Sequence, residues 1–342
     1  MRDRVCFVHV GTHKTGTTAI QRFLAANEAA LADEGIAYPR AGRLSASYPG
    51  HHNIAFELYG DPRFDESLGT LADVLRELTG AERICLSSED LEYLHTRPAA
   101  LIALRDAIAS AGYHPVVVIY LRAQGEYLES LYAEDVKHGS VSSFQQFRTG
   151  VVVAGMHRYS NGLGLRFEYT RLVGPFAAVF GLDSMIVRGY ARPPSAAALV
   201  REFVEILGGV RDWGAFDLPA DYEHTRPSVG DVIRWLFANT AGAVGSDDAL
   251  ALGERYAAAD DAARPFAALS RPDRAAVARR FARDNAVLGA RWELSALTPV
   301  ASDVVGLTSS APARRLFARA EAALTDFVSR RTVSVRLRPP EA

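Results

Sequence analysis

The sequence predicts an α/β fold in three layers: a P-loop-type parallel β-sheet flanked by helices, with a helical C-terminal extension. Three observations lead there. Four short, almost continuously apolar runs rich in β-branched residues punctuate the first part of the chain, helix-patterned segments lie between them, and after about residue 195 the strands stop while amphipathic helices go on. Continuously apolar strands suit a parallel sheet covered on both faces, and their alternation with helices is the signature of a doubly wound layer.

In order, the first strand is Val5 to Val10, followed by a helix from Thr18 to Glu34 and another from Asp65 to Thr79. Arg83 to Ser87 is the second strand, and a helix from Pro98 to Ala111 leads to the third, Pro115 to Leu121 ("PVVVIYL"). Helices follow over Gln124 to His138 and Arg171 to Phe180, then a strand over Met185 to Gly189. Beyond it "SAAALVREFVEILGG", "SVGDVIRWLFANTAG" and "RAAVARRFARDNAVLG" carry apolar residues at helical spacing. No composition break or Gly/Ser linker intervenes. We therefore expect one domain over 1–342, with 1–194 as a nucleotide-binding core and 195–342 as appended helices.

Composition narrows the function. The chain has 342 residues, 49% of them hydrophobic, with 38 basic side chains against 40 acidic ones. That is enough for a sizeable core, and the balance lacks the basic excess that a non-specific grip on nucleic acid requires. Cys6 and Cys85 lie far apart inside apolar runs without metal-ligand spacing, so buried thiols in a reducing compartment are expected rather than a disulfide. The opening "MRDRVCFVHVG" interrupts its apolar run too early for a secretory core, and no stretch reaches the ~18 apolar residues of a membrane span. A cytoplasmic protein acting on small molecules is the expectation, with oligomeric state left open.

The chemistry starts at "HVGTHKTGTT", residues 9 to 18. Triphosphate-binding loops read G-x-x-x-x-G-K-[ST], with the lysine directly after the second glycine. Here Gly11 and Gly16 keep the spacing, Thr17 stands where that lysine belongs, Thr18 keeps the hydroxyl position, and Lys14 sits inside the loop. Between a strand and a helix, the amides of Lys14 to Thr18, the helix dipole and the hydroxyls of Thr15, Thr17 and Thr18 converge on one anion. The missing Gly-Lys step argues against ATP or GTP hydrolysis, which also needs a carboxylate for Mg²⁺.

"GTHKTGTT" resembles the 5'-phosphosulfate loop of sulfotransferases that use 3'-phosphoadenosine-5'-phosphosulfate (PAPS). "VVVIYLRAQGEYLESLY" is similar to the family's 3'-phosphate segment, in which an arginine ending a strand is followed eight residues later by a helical serine; Arg122 and Ser130 have that spacing. Arg122 also leaves the carboxyl end of a buried strand, where doubly wound folds place ligands, and its planar fork suits a phosphate. Its structural alternative is an ion pair with Glu126 or Glu129. The resemblance covers roughly residues 5 to 190. The family's Arg-Lys-Gly loop is not visible as such; in "HTRPSVGD", Arg226 or Ser228 stands in for it, or Ser228 is simply a helix N-cap.

What the resemblance implies is in-line, metal-independent transfer of a sulfuryl group from PAPS to a hydroxyl or amine of a small-molecule or carbohydrate acceptor. Charge gathers on the bridging oxygen of the departing 5'-phosphate, and a lysine inside the loop meets it there. The base that takes the acceptor's proton is left between two residues. Glu89, in "RICLSSEDL", follows the second strand where the family puts a catalytic histidine or glutamate, and it competes with a capping role for "SSED". His52, in "YPGHHNIAFEL", is the other, ahead of His51. His13 is placed to touch the sulfuryl oxygens or to face solvent. Two aromatic, loop-rich stretches, Arg40 to Arg63 and Phe144 to Tyr169, are candidate acceptor walls. A P-loop kinase or triphosphatase, and a non-catalytic nucleotide-binding protein, are the rival readings.

Overall fold

Val5–Gly11 (β1) is the middle strand of a five-stranded sheet in which every pairing is parallel. Arg83–Ser87 (β3) pairs with one side of β1 and His114–Arg122 (β4) with the other. Ile36–Ala37 (β2) and Met185–Tyr190 (β7) form the edges, so the order is β2-β3-β1-β4-β7. Met156–Arg158 (β5) and Gly164–Arg166 (β6) make a separate antiparallel hairpin. The computed structural model describes residues 4–77, 80–159, 162–220, 226–297 and 310–336. All four expected strands are present, each with ends within one residue of the expectation. Uninterrupted apolar runs are legible because both faces of these strands are covered.

The expected helix from Thr18 to Glu34 is instead two, Thr17–Ala26 (α1) and Glu28–Asp33 (α2). The break is at Asn27, whose amide donates to the Phe23 and Asp217 carbonyls while its Oδ1 accepts from the Asp217 N–H. A bond to a residue 190 positions away overrides local periodicity there. The helix expected from Asp65 begins only at Leu71 (α4, Leu71–Glu77), because Asp65 caps a 3-10 turn that Gly69 ends at φ 95°; Thr79 lies outside the described residues. His52–Tyr59 (α3) had no amphipathic signal, since six of its eight residues are buried.

The chain divides into two compact units. One comprises 1–123, 155–224 and 281–298 and contains the sheet. On one face α1 and Ala196–Ile206 (α9) pack Ile20, Phe23, Leu24, Leu199 and Phe203 against Phe7, Cys85, Val118 and Tyr120. On the other, Pro98–Ser110 (α5) and Thr170–Phe180 (α8) pack on β4. This is the three-layer arrangement, with each fully buried large side chain contributing about 1.5–3 kcal/mol.

The other unit comprises 124–154, 225–280 and 299–342, and its regular structure among the described residues is helical. Gln124–Lys137 (α6), Phe144–Ala154 (α7), Val229–Val244 (α10) and Asp248–Ala257 (α11) belong to it, as does Ala311–Arg336 (α13); Arg271–Gly289 (α12) crosses the division. Its centre is Tyr132, whose ring meets Phe144, Phe147, Phe266 and Phe317 at 5.1, 5.4, 6.0 and 6.1 Å. Among the described residues no helix is long and apolar enough to cross a membrane.

Candidate active site

Three chain segments leave the carboxyl edge of neighbouring strands: the loop 12–16 after β1, the 3-10 helix Glu89–Thr96 after β3, and Arg122 at the end of β4. Connections diverging from adjacent parallel strands leave a crevice at that edge.

The loop is tightly specified. A Cβ on Gly11 would meet the Thr17 methyl at 2.2 Å, and Gly16 lies at φ 82°, ψ 16°, so both positions require glycine. Lys14 is held at φ 69°, the left-handed region, at a cost of order 1 kcal/mol for a side chain with a Cβ. Its carbonyl accepts from Arg122 Nη1 at 2.9 Å, and the Thr12 hydroxyl donates to the Tyr120 carbonyl at 2.8 Å, fastening the loop to β4. The Arg122 carbonyl in turn accepts from the Tyr169 hydroxyl. Thr15 is buried and its hydroxyl donates to the Thr12 carbonyl at 2.6 Å, leaving Thr17 and Thr18 at the helix start. Among the described residues no side chain caps α1, and the Ala19 and Ile20 N–H groups donate to the Gly16 carbonyl.

Four histidines approach this edge, and their partners divide them. His51 is fully buried, accepts from the Ser87 N–H on Nδ1 at 3.1 Å and donates from Nε2 to the Pro39 carbonyl at 3.0 Å. His9 is likewise buried, with Nδ1 2.8 Å from Ser87 Oγ. Burial pushes both down to about 3, so they are neutral and structural.

His13 and His52 behave oppositely. Burial alone would lower them too, but carboxylates outweigh it and hold both above the ordinary imidazole range. For His13 these are Glu92, bonded at 3.1 Å to Nδ1 and at 3.2 Å to the backbone N–H, then Asp90 and Glu89. For His52 they are Asp90, 2.7 Å from Nδ1, and Glu89, 3.8 Å from Nε2. Asp90 also lies 4.0 Å from His13 Nε2, so carboxylates and imidazoles alternate: Glu92, His13, Asp90, His52, Glu89. Burial would raise Asp90, yet the bond to His52 and the histidine charges hold it below the usual carboxylate range.

The two readings of "SSED" turn out compatible. Ser88 caps the 3-10 helix by accepting from the Asp90 N–H, and Glu89 beside it accepts from Gln21 Nε2 of α1 at 3.0 Å. Sequence reading missed Asp90, Glu92, Gln21 and Tyr93, whose hydroxyl lies 3.5 Å from His13 Nε2. Three acids within four residues after a strand end were the available signal.

Elsewhere, Ser130 is half-buried on α6 of the helical unit. Glu129, a suggested partner of Arg122, is occupied by Arg226 and Arg274, and Ser228 caps α10 in a full capping box with Asp231. Residues 224 and 225 lie outside the described residues. Of the candidate acceptor walls, Phe147 is core packing around Tyr132, and Phe167 is fully buried against Phe281. Among the described residues, no group of three or more His, Cys, Asp or Glu side chains is arranged to hold a metal ion.

No protein-family model matches this chain, and no curated protein matches it. Among solved structures, the crystal structure of a sulfotransferase from Alicyclobacillus acidocaldarius is similar: 18% sequence identity, 73% of this chain and 96% of that chain covered, TM-score 0.42.

Proposed function

We propose that this chain is a sulfotransferase moving a sulfuryl group from PAPS to a hydroxyl or amine of a small-molecule or carbohydrate acceptor. The observation that carries the reading is Lys14, held in a left-handed conformation at the mouth of an uncapped helix, beside a cluster of partly buried acids and bases. A loop with its cation inside the turn, rather than after the second glycine, suits a reaction whose charge develops at the first phosphate.

PAPS would supply the sulfuryl group, with its 5'-phosphate at the N–H groups of α1. Lys14 then neutralises the charge that grows on the bridging oxygen as the sulfur–oxygen bond to that phosphate breaks. Arg122 keeps the loop shaped through the Lys14 carbonyl and has a fork suited to a second phosphate. Glu89 takes the acceptor's proton as the new bond from sulfur to the acceptor's oxygen or nitrogen forms. We assign the base to Glu89 rather than His52 because both ring nitrogens of His52 already face carboxylates, Nδ1 at 2.7 Å from Asp90 and Nε2 at 3.8 Å from Glu89. Gln21, donating from Nε2 at 3.0 Å, holds Glu89 in place, with His52 Nε2 3.8 Å away.

The test is thermal stabilisation in metal-free buffer, comparing 3'-phosphoadenosine-5'-phosphate with ATP plus Mg²⁺. We expect selective stabilisation by the bisphosphate, rising with concentration and lost in Arg122→Ala and Lys14→Ala. Stabilisation by ATP and Mg²⁺ alone would overturn the reading in favour of a phosphotransferase.

A further inference from the structure

We propose that Glu92 is a positioning residue for the donor loop: it fixes His13 as a second cation beside Lys14, so that donor affinity depends on a proton held at His13. The inference rests on the donor reading above and concerns a residue outside the loop.

The geometry is specific. Glu92 is fully buried, and its Oε2 takes both bonds available from one residue, the His13 backbone N–H at 3.2 Å and Nδ1 at 3.1 Å. Its Oε1 is buried without a hydrogen-bond partner among the described residues. A buried carboxylate that is only half satisfied costs stability unless a counter-charge offsets it, and the His13 ring is the titratable group bonded to it. The carboxylate also fixes the ring: with Nδ1 donating to Glu92, Nε2 is turned toward Tyr93 and Asp90.

The 3-10 helix is anchored behind this pair. His95 donates from Nδ1 to the Glu92 carbonyl at 2.7 Å, and its Nε2 accepts from Arg166 of β6 at 3.0 Å. Glu92 is therefore held from both its backbone and its side chain. The groups facing His13 are Glu92, Asp90, Glu89 and Tyr93 from the 3-10 helix and His52 from α3, with Lys14 next to it in the chain. Burial opposes protonation of His13, and the carboxylates, Glu92 foremost, reverse it. As pH rises through the raised His13 value, the loop loses one of its two cations while the donor keeps its negative charge.

The experiment has two readouts on the full chain. NMR titration of the histidine rings, with His13 assigned from His13→Asn, needs no ligand; we expect His13 to titrate above the ordinary imidazole value, and Glu92→Gln to lower it. Calorimetric affinity for 3'-phosphoadenosine-5'-phosphate is then measured from pH 6.5 to 9 for the wild type, Glu92→Gln and His13→Asn, the ligand's own ionisation cancelling in the ratios. We expect Glu92→Gln to bind about tenfold more weakly at pH 6.5, with the ratio to wild type falling toward one by pH 9. Equal affinities for wild type and His13→Asn at every pH would overturn the inference while leaving the donor reading intact, and this comparison stands even if Glu92→Gln fails to fold. An affinity ratio for Glu92→Gln that is constant with pH would also overturn it, since a merely structural defect has that form. Absence of bisphosphate binding by the wild type would overturn the donor reading and this inference with it.

Discussion

Each compact unit contains a fully buried glutamate, and the two are satisfied in different ways. In the helical unit, both oxygens of Glu129 are used: Oε1 accepts from the Ala268 and Leu269 N–H groups at 2.8 Å each, and Oε2 from Arg226 and Arg274. In the sheet unit, Glu92 uses one oxygen, on His13. Burial would raise Glu129, but the two guanidinium charges and the two amides outweigh it and hold it below the usual carboxylate range. Arginine does not give up its proton at any physiological pH, whereas histidine does. A complete, permanent set of partners makes a fixed joint; an incomplete set built on a titratable partner makes a site whose charge responds to its surroundings.

The largest effect expected from this contrast is on stability in the helical unit. Glu129→Ala leaves two guanidinium groups and two amides without their acceptor, and we expect a loss of about 3–5 kcal/mol in denaturant unfolding. A loss under 1 kcal/mol would show that this cluster is hydrated and no fixed joint. Next, Glu89→Gln should reduce transfer by about 10²–10⁴-fold with bisphosphate affinity unchanged, once an acceptor is in hand, whereas His52→Asn should reduce it less. Equal losses would move His52 to the centre of the proton transfer.

Glu92→Gln should cost less than Glu129→Ala, about 1–3 kcal/mol near pH 6, because His13 is free to become neutral. The contrast is sharpest in pH dependence. His13 and His52 have raised folded values, so the stability they contribute is complete below the unfolded value of about 6.5 and disappears as pH rises through the folded ones. Glu129 and Asp90 have depressed folded values; their contribution is present above the unfolded value of about 4 and is lost as pH falls through the folded ones. Unfolding followed from pH 3 to 9 should therefore decline at both ends, and Glu92→Gln should flatten only the upper decline. The smallest effect is Ser228→Ala, about 1 kcal/mol from loss of the α10 capping box, with no change in donor binding.

Much of this molecule was legible in the chain alone. The four long strands, the glycine spacing around Lys14, the absent Gly-Lys step and the helices after residue 195 follow from periodicities of two and 3.6 and from single-residue conformational needs, all of which act within a few residues. Of the two readings of "SSED", the cap is formed by Ser88, and Glu89 beside it accepts from Gln21 of α1. The break at Asn27, the buried α3 and the partner of Glu129 were not readable, because each depends on groups far along the chain. The same holds for the acid–base cluster. His13 and Glu92 are 79 residues apart, and Gln21 and Glu89 are 68 apart. They meet because β3 lies beside β1 in the sheet, a choice of strand order that no local pattern encodes. The sequence by itself determined which residues carry charge and where the backbone must turn. Only the tertiary structure decided which charges are buried together, and burial beside carboxylates is what holds His13 above the ordinary imidazole range while burial away from them pushes His51 down to about 3.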